Sequence, residues 1–363
     1  MKKIDRPLLI TVATLIVVGF FIFTSASLGL LAREGAHFSS VALSQIVFGI
    51  GLGTVALLIT STIHYRFWRK YAIYFFLFSI AATLLVFVPG LGFSYGGATR
   101  WVDLGIITFQ PAELLKIGFV IYLATWLSGI RDKLHTFAYG VVPLFVLIGI
   151  VGGLLLTQPD TGTLLVILVT AIAMFIAAGA RWREIAIFGG MATLGVAVLA
   201  YTRPYIMDRI LTFFNPASDP LGASYQIQQS LIAVGSGEWF GRGFGQSVQK
   251  FQYLPEPIGD SIFAVAAEEF GFIGSMLLVG LFLFFAFRGL TVAAHAPDYF
   301  GGLLALGIVI LIVSQSFINM ASMLGVLPLT GLPLVFVSHG GTALLLALAS
   351  VGILLNISKF KRS

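Results

Sequence analysis

Long apolar runs constrain the fold of this sequence more than any other feature. A run of about 20 apolar residues is long enough to cross a bilayer, and ten such runs can be counted in the 363 residues. Lipid cannot satisfy exposed backbone hydrogen-bonding groups, so each spanning run should be helical. The ten predicted spans are 7–31, 39–62, 71–92, 110–128, 137–157, 162–180, 184–203, 260–287, 299–325 and 335–357.

The composition and the connections predict an all-α integral membrane protein. Apolar residues make up 58% of the chain and charged residues only 10%, far from the averages of soluble domains. Most connections are short, so residues 1–363 should form one polytopic membrane domain. The exception is a large extracytoplasmic loop, about 204–259, between helices seven and eight. Its stretch SYQIQQSLIAVGSG predicts an amphipathic helix on the outer membrane surface.

The distribution of basic residues predicts the orientation. Cytoplasmic segments retain Lys and Arg, and with both termini inside, fourteen of the 21 basic residues are cytoplasmic, six are in outer loops, and Lys116 is within a span. These residues explain most of the net charge of +6, so no nucleic-acid partner is needed. The absence of Cys excludes disulfides, thiol catalysis and thiolate metal sites.

Two charged residues fall inside the fourth predicted span. In FQPAELLKIGF the helix should begin at Pro111, a favoured first position, and then bury Glu113 and Lys116. Three residues apart, the two side chains project from one face of the helix. They could form a structural ion pair that fixes helix packing, or line a polar cavity reached from outside. The two interpretations are compatible.

The stretch YLPEPIGDSIFAVAAEEFG concentrates carboxylates at the start of the eighth predicted span. Asp260 could be a simple helix N-cap, although Pro255 and Pro257 rigidify its approach as if its position had to be held. Glu268 and Glu269 lie about 100° apart on a helix, so we expect that they cannot both face one partner. We predict packing or hydrogen-bonding roles for both.

Polar residues cluster on the predicted outer side. Asp160, in TQPDTGT, could be a turn residue or N-cap, and the glycine-rich GSGEWFGRGFGQS lacks the context of a nucleotide loop. Such a chain could be a transporter, a membrane-embedded enzyme acting on a lipid-linked substrate, or a scaffold. An outer concentration of polar groups favours the enzyme. These groups are Arg100, Asp103, Asp160, Arg209, Arg242, Lys250 and Asp260.

Four motifs resemble the SEDS family (shape, elongation, division and sporulation) of bacterial ten-span proteins. They occur in the family's order and extend along the chain, and the stretches FTSAS and NPASDPLGASYQIQQSLIAVGSG look more like division members than elongation members. Two positions depart from the pattern, Ser44 where many members have Arg and His339 where many have Tyr. The motifs are GGATRWVDLGIITFQPAELLKI, QPDTGT, GEWFGRGFGQSVQKFQYLPEPIGDSIFAVAAEEFG and NMASMLGVLPLTGLPLVFVSHGG.

The resemblance implies a peptidoglycan glycosyltransferase that polymerises lipid II, with a lipid II flippase or a transpeptidase scaffold as alternatives. It places the essential carboxylate at Asp260. The expected substrate-binding residues are Lys116, Glu113, Arg100, Arg242 and Asp160. No cofactor is expected with certainty; the candidate is a divalent cation, Mg²⁺ or Mn²⁺.

The resemblance also implies partners and a location. The expected partners are lipid II, polyprenyl-diphosphate-linked glycan, membrane lipids, a class B penicillin-binding transpeptidase and other divisome or elongasome proteins. The expected location is the bacterial cytoplasmic membrane, with the active site on the extracytoplasmic side.

Overall fold

Helices dominate the computed structural model, which describes residues 4–32, 38–95, 98–103, 105, 108–215 and 224–361. Several helices begin at residues that favour a helix start. Pro111 occupies the first turn of α6, and the Asp298 side chain caps α13 by accepting a hydrogen bond from the N–H of Gly301. The helices are α1 Arg6–Ser27, α2 Phe38–Leu43, α3 Gly53–Thr62, α4 Arg66–Lys70, α5 Ala72–Leu84, α6 Pro111–Gly129, α7 Val142–Thr157, α8 Thr161–Ala177, α9 Trp182–Thr202, α10 Pro204–Phe214, α11 Tyr225–Ser236, α12 Ile262–Ala294, α13 Tyr299–Met323 and α14 Gly341–Ser358.

Shorter helical stretches join or extend these helices. A π-helical segment, Ser44–Leu52, links α2 to α3, and another, Phe137–Val141, precedes α7. Three 3₁₀ turns lie at Leu28–Ala32, Leu85–Phe87 and Arg131–Lys133. Among the described residues, eight helical segments are long and apolar enough to cross a membrane, and Ala72–Phe87 and Thr161–Ala177 are apolar but shorter. The all-α membrane fold is therefore confirmed, while the count of ten spans stays a prediction.

A small antiparallel sheet in the connection between α5 and α6 was not predicted from the sequence. Its strands are β1 Gly92–Tyr95, β2 Ala98–Asp103 and β3 Thr108–Phe109, with β2 in the middle. Phe93 pairs with Trp101, and Val102 pairs with Phe109. The predicted third span ran to residue 92, but the helix ends earlier because the chain enters this sheet.

The centre of the bundle is formed by α6, α13 and α14. About 72% of the spanning window of α6 and of α14 is buried inside the protein, against 11% for α9. Helix α9 therefore lies at the periphery, with most of its apolar surface free to contact lipid. The polar residues of α6 and α13 consequently face protein.

A non-helical segment, residues 324–340, returns from α13 into the bundle before α14 begins. An added Cβ at Gly19 of α1 would lie 2.2 Å from the carbonyl oxygen of Phe336, so only glycine permits this approach. The prediction that the last span starts at residue 335 was wrong. Residues 335–340 are held by tertiary hydrogen bonds and do not form a first helical turn.

Helix α12 is broken at Gly271, whose φ of 66° lies in the left-handed region. A break frees backbone groups that need new partners, and the loop 238–243 supplies them. The N–H groups of Arg242 and Gly243 donate to the carbonyls of Glu268 and Glu269, and those of Phe272 and Ile273 donate to the carbonyls of Glu238 and Trp239. The span predicted over 260–287 corresponds to the helical segment Ile262–Ala294, which is long and apolar enough to cross a membrane, but the break at Gly271 was not predicted.

Candidate active site

The backbone that carries Asp260 is held by two neighbouring elements. Asn319 Nδ2 of α13 donates to the carbonyl of Asp260 at 2.6 Å. Two further hydrogen bonds come from the segment 324–340. Ser338 Oγ donates to the carbonyl of Gly259 at 2.6 Å, and the N–H of His339 donates to the carbonyl of Ile258 at 2.7 Å. The position of Asp260 is therefore fixed by tertiary contacts.

The expectation that Asp260 might cap the eighth span was wrong. Helix α12 starts at Ile262, and its N-cap residue is Ser261, which makes no side-chain capping bond. The hydroxyl of Ser261 instead accepts a hydrogen bond from Gln226 Nε2 of α11 at 3.0 Å. The carboxylate of Asp260 is therefore not used to cap α12.

That carboxylate lines a cavity of about 300 Å³ between α10, α11 and the segment 324–340. Its Oδ1 atom is buried and has no hydrogen-bond partner among the described residues. Burial, reinforced by the nearby Glu256, raises the pKa of Asp260 to about 6. The other cavity residues are Asp208, Arg209, Thr212, Phe213, Gln226, Ile227, Leu231, Gly325, Leu327, Pro328, Leu329 and Gly331.

Arg209 of α10 is the cationic side chain on the wall of this cavity, and the sequence did not connect it with Asp260. Its charge interacts with that of Asp260. The available sequence signal was its position on a short amphipathic helix that begins at Pro204. That signal places Arg209 on the outer side but does not say which cavity it faces.

Arg100 and Asp160, two of the predicted substrate-binding residues, do not line the cavity but lie close enough to Arg209 to interact with its charge. Arg100 donates to the carbonyls of Gln158, at 3.2 Å, and Pro159. Asp160 accepts from the N–H of Thr163 at 3.1 Å and so caps α8, as one interpretation of the sequence predicted. Its second oxygen is buried without a partner in the described part of the chain. Both charges act on Arg209.

Glu113 and Lys116 form the predicted ion pair but lie in a different place from Asp260. Lys116 Nζ donates to Glu113 Oε1 at 2.8 Å and to Gln315 Oε1, and Lys116 is only 1% exposed. The pair lines a separate cavity of about 30 Å³ beneath Pro333. Their structural pairing is observed, and their role in substrate binding stays a prediction.

Arg242 does not line the Asp260 cavity. Its half-exposed side chain lies 3.8 Å from Glu268 Oε1, and its Nε donates to the carbonyl of Ser236 at 3.4 Å. The loop that carries it packs against the break in α12. A contact with substrate diphosphate stays a prediction for this residue.

Glu268 and Glu269 attach the outer loop to α12. Glu269 Oε1 accepts from Lys250 Nζ at 2.7 Å and from Ser25 Oγ at 2.6 Å. The expectation that the two carboxylates cannot share a partner was wrong: Ser247 donates its N–H to Glu269 and its hydroxyl to Glu268. The loop wraps around the helix, so one residue reaches both faces. The predicted hydrogen-bonding role is observed.

A divalent cation is compatible with the cavity residues. Among the described residues no group of three His, Cys, Asp or Glu side chains could hold a metal ion. Mg²⁺, however, commonly binds to one or two carboxylates and takes its remaining ligands from water and substrate phosphates. The partnerless oxygen of Asp260 fits that pattern.

The chain belongs to the FtsW/RodA/SpoVE family of cell cycle proteins, whose profile matches residues 6–363. It is a multi-pass membrane protein. A probable peptidoglycan glycosyltransferase FtsW of Geobacter sp. strain M18 is 41% identical over 307 residues, covering 85% of this chain and 84% of the relative. Stage V sporulation protein E of Bacillus subtilis strain 168 is 37% identical over 363 residues, covering 99% of both.

Two solved structures share the fold. A chain of a peptidoglycan synthase complex that coordinates polymerization and crosslinking has a TM-score of 0.80 and 28% identity, covering 99% of this chain and 98% of that one. The rod shape determining protein RodA of Thermus thermophilus has a TM-score of 0.72 and 26% identity, covering 99% and 98%. Identity is higher with the FtsW and sporulation relatives than with this RodA, in agreement with the motif comparison.

Proposed function

We propose that this protein is a peptidoglycan glycosyltransferase that polymerises lipid II, with the Asp260 cavity as its active site. The observation that carries the proposal is a carboxylate with a buried, partnerless oxygen on the wall of a cavity of about 300 Å³. Family membership and the relatives named peptidoglycan glycosyltransferase support the reaction class. The outer loop contributes the cavity walls, which supports an extracytoplasmic site with both termini in the cytoplasm.

Asp260 suits the role of general base. A base works best when its pKa is near the operating pH, and burial raises the pKa of Asp260 to about 6. In the proposed step Asp260 takes the proton of the acceptor sugar's 4-hydroxyl. The acceptor oxygen bonds to the anomeric carbon of the donor chain as the bond from that carbon to the diphosphate breaks. The polyprenyl diphosphate leaves, and one direct displacement inverts the anomeric centre.

A divalent cation would be held by Asp260 together with the substrate's own phosphates. Such an ion neutralises charge that develops on a diphosphate leaving group. Asp260 could bind the cation with one carboxylate oxygen and act as the base with the other. A chelator should lower the polymerisation rate if Mg²⁺ or Mn²⁺ takes part.

A transpeptidase of the class B penicillin-binding type is the proposed protein partner. The support is the fold shared with a synthase complex that couples polymerization to crosslinking. The FtsW-named relatives favour a role in division over one in elongation.

Polymerisation and flipping are separated by one paired experiment. Purified lipid II is supplied in detergent to measure glycan strands, and in liposomes to measure transfer between leaflets, with wild type and Asp260→Ala. We expect strands from wild type only, with or without co-purified transpeptidase, and a lower wild-type rate when chelator is added. Flipping that survives Asp260→Ala, without polymerisation by wild type, would favour the flippase.

A further inference from the structure

We propose that Arg209 binds the diphosphate of the polyprenyl-linked donor in the Asp260 cavity. The inference rests on the proposed function. It names Arg209 as a phosphate-binding residue, a role that the sequence motifs did not indicate. Arg209 lies on the cavity wall together with Asp260. A guanidinium matches two phosphate oxygens with parallel N–H donors, which a point charge cannot do.

Arg209 has unused hydrogen-bonding capacity. A guanidinium carries five N–H donors, and its hydrogen bond in the described part of the chain runs from Nη1 to the carbonyl of Thr330 at a long 3.4 Å. No carboxylate lies within ion-pair distance of it among the described residues. Within the described part of the chain, most of these donors are therefore available to an anion.

Three other basic residues that the sequence placed near the outer side, Lys116, Lys250 and Arg100, already have partners. Lys116 is paired with Glu113 in the separate small cavity. Lys250 is fully buried against Glu269. Arg100 directs its donors to the carbonyls of residues 158 and 159. Of these basic residues and Arg209, only Arg209 faces the cavity of Asp260.

The surroundings of Arg209 suit an anionic ligand. Its pKa is lowered by burial and by the like charge of Arg100, so the protein holds this charge at a cost that a bound anion would offset. Tyr205, one turn earlier on α10, interacts with it, and the Tyr205 hydroxyl is buried without a partner among the described residues. A phosphate oxygen could accept from both groups.

The test uses inorganic pyrophosphate as the probe and the full-length protein in detergent. Binding is followed through the rise in unfolding temperature for wild type, Arg209→Gln, Arg209→Lys and the matched control Arg203→Gln. Arg203 is exposed at the start of the same helix and does not line the cavity. Arg209→Gln should weaken pyrophosphate binding about tenfold to a hundredfold, because hydrogen bonds between charged groups contribute more binding free energy than neutral ones.

The expected pattern separates binding from a structural role. Arg209→Lys should recover part of the affinity, because it keeps the charge but loses the planar fork, and Arg203→Gln should bind as wild type does. Without pyrophosphate, Arg209→Gln should unfold at or above the wild-type temperature, because the partly buried charge is gone. In lipid II polymerisation, kcat should fall more than KM rises, since charge grows on the leaving diphosphate.

Equal pyrophosphate affinity of wild type and Arg209→Gln would overturn the proposal, as would no binding by wild type. A lower unfolding temperature of Arg209→Gln without the probe, with unchanged affinity, would show that Arg209 only holds the segment 324–340. If wild type binds pyrophosphate through Arg209 but makes no glycan, the anion site stands and glycosyl transfer fails. The two claims are therefore tested separately.

Discussion

Replacing Asp260 with Asn is expected to stabilise the folded protein at neutral pH while removing its activity. The pKa of Asp260 is raised from the ordinary 3.8 to about 6, first by burial and then by Glu256. Each pKa unit corresponds to about 1.4 kcal/mol, so the buried charge costs at most about 3 kcal/mol at pH 7. Asn keeps the shape of the side chain and carries no charge, so most of this cost should be regained.

The pH dependence gives the sign of the effect. Between about pH 4 and pH 6 the folded protein binds a proton at Asp260 that the unfolded chain does not, so this group lowers stability as pH rises through that window. Above pH 6 the full cost is present. Below pH 4 both states are protonated and the difference between wild type and Asp260→Asn should vanish.

The assay is thermal unfolding of purified protein in nanodiscs, at pH values from 4 to 8. The matched control is Asp132→Asn, an exposed aspartate in the turn after α6, where a surface change should stay within about 0.5 kcal/mol. An Asp260→Asn protein that unfolds at or below the wild-type temperature at pH 7 would refute the reasoning. A stability difference that stays constant from pH 6 to pH 4 would do the same.

Three further outcomes follow from the same structure. The polymerisation rate should fall about tenfold for each pH unit below 6, as Asp260 becomes protonated and loses its capacity as a base; a flat profile down to pH 5 would exclude it as the base. Lys116→Ala should destabilise the protein by about 3–5 kcal/mol, because it leaves the buried Glu113 unpaired, and Lys116→Met combined with Glu113→Gln should restore the unfolding temperature. A Lys116→Ala protein that is fully stable but inactive would instead support substrate binding. Gly271→Ala should loosen the outer loop, seen as faster proteolysis, because an added Cβ would lie 2.3 Å from the N atom of Gly241; unchanged proteolysis would contradict that role.

The helices could be predicted because lipid imposes a simple requirement. A run of about 20 apolar residues must be helical to cross a bilayer, and each predicted span overlaps helical structure in the described chain, although some of the predicted ends differ. The break at Gly271 could not be predicted in this way. It depends on backbone partners in the loop 238–243, which lies far from α12 in sequence until the chain folds.

The site was predictable in part, and for different reasons at each residue. Asp260 was singled out by its prolines and by the motif resemblance, and the cap of α8 by Asp160 followed from local sequence. Lys116 and Asp260 lie in separate cavities because the segment 324–340 contributes residues to both and lies between them. Arg209 reaches the cavity only because α10 packs over it. Neither arrangement leaves a periodic signal in the sequence.

The role of the Asp260 carboxylate in glycan polymerisation is tested most directly by the rate at which purified protein converts lipid II into glycan strands. Wild type and Asp132→Asn should polymerise at similar rates. Asp260→Asn, folded and at least as stable as wild type, should form no strands above background. Strand formation by Asp260→Asn near the wild-type rate would contradict the account.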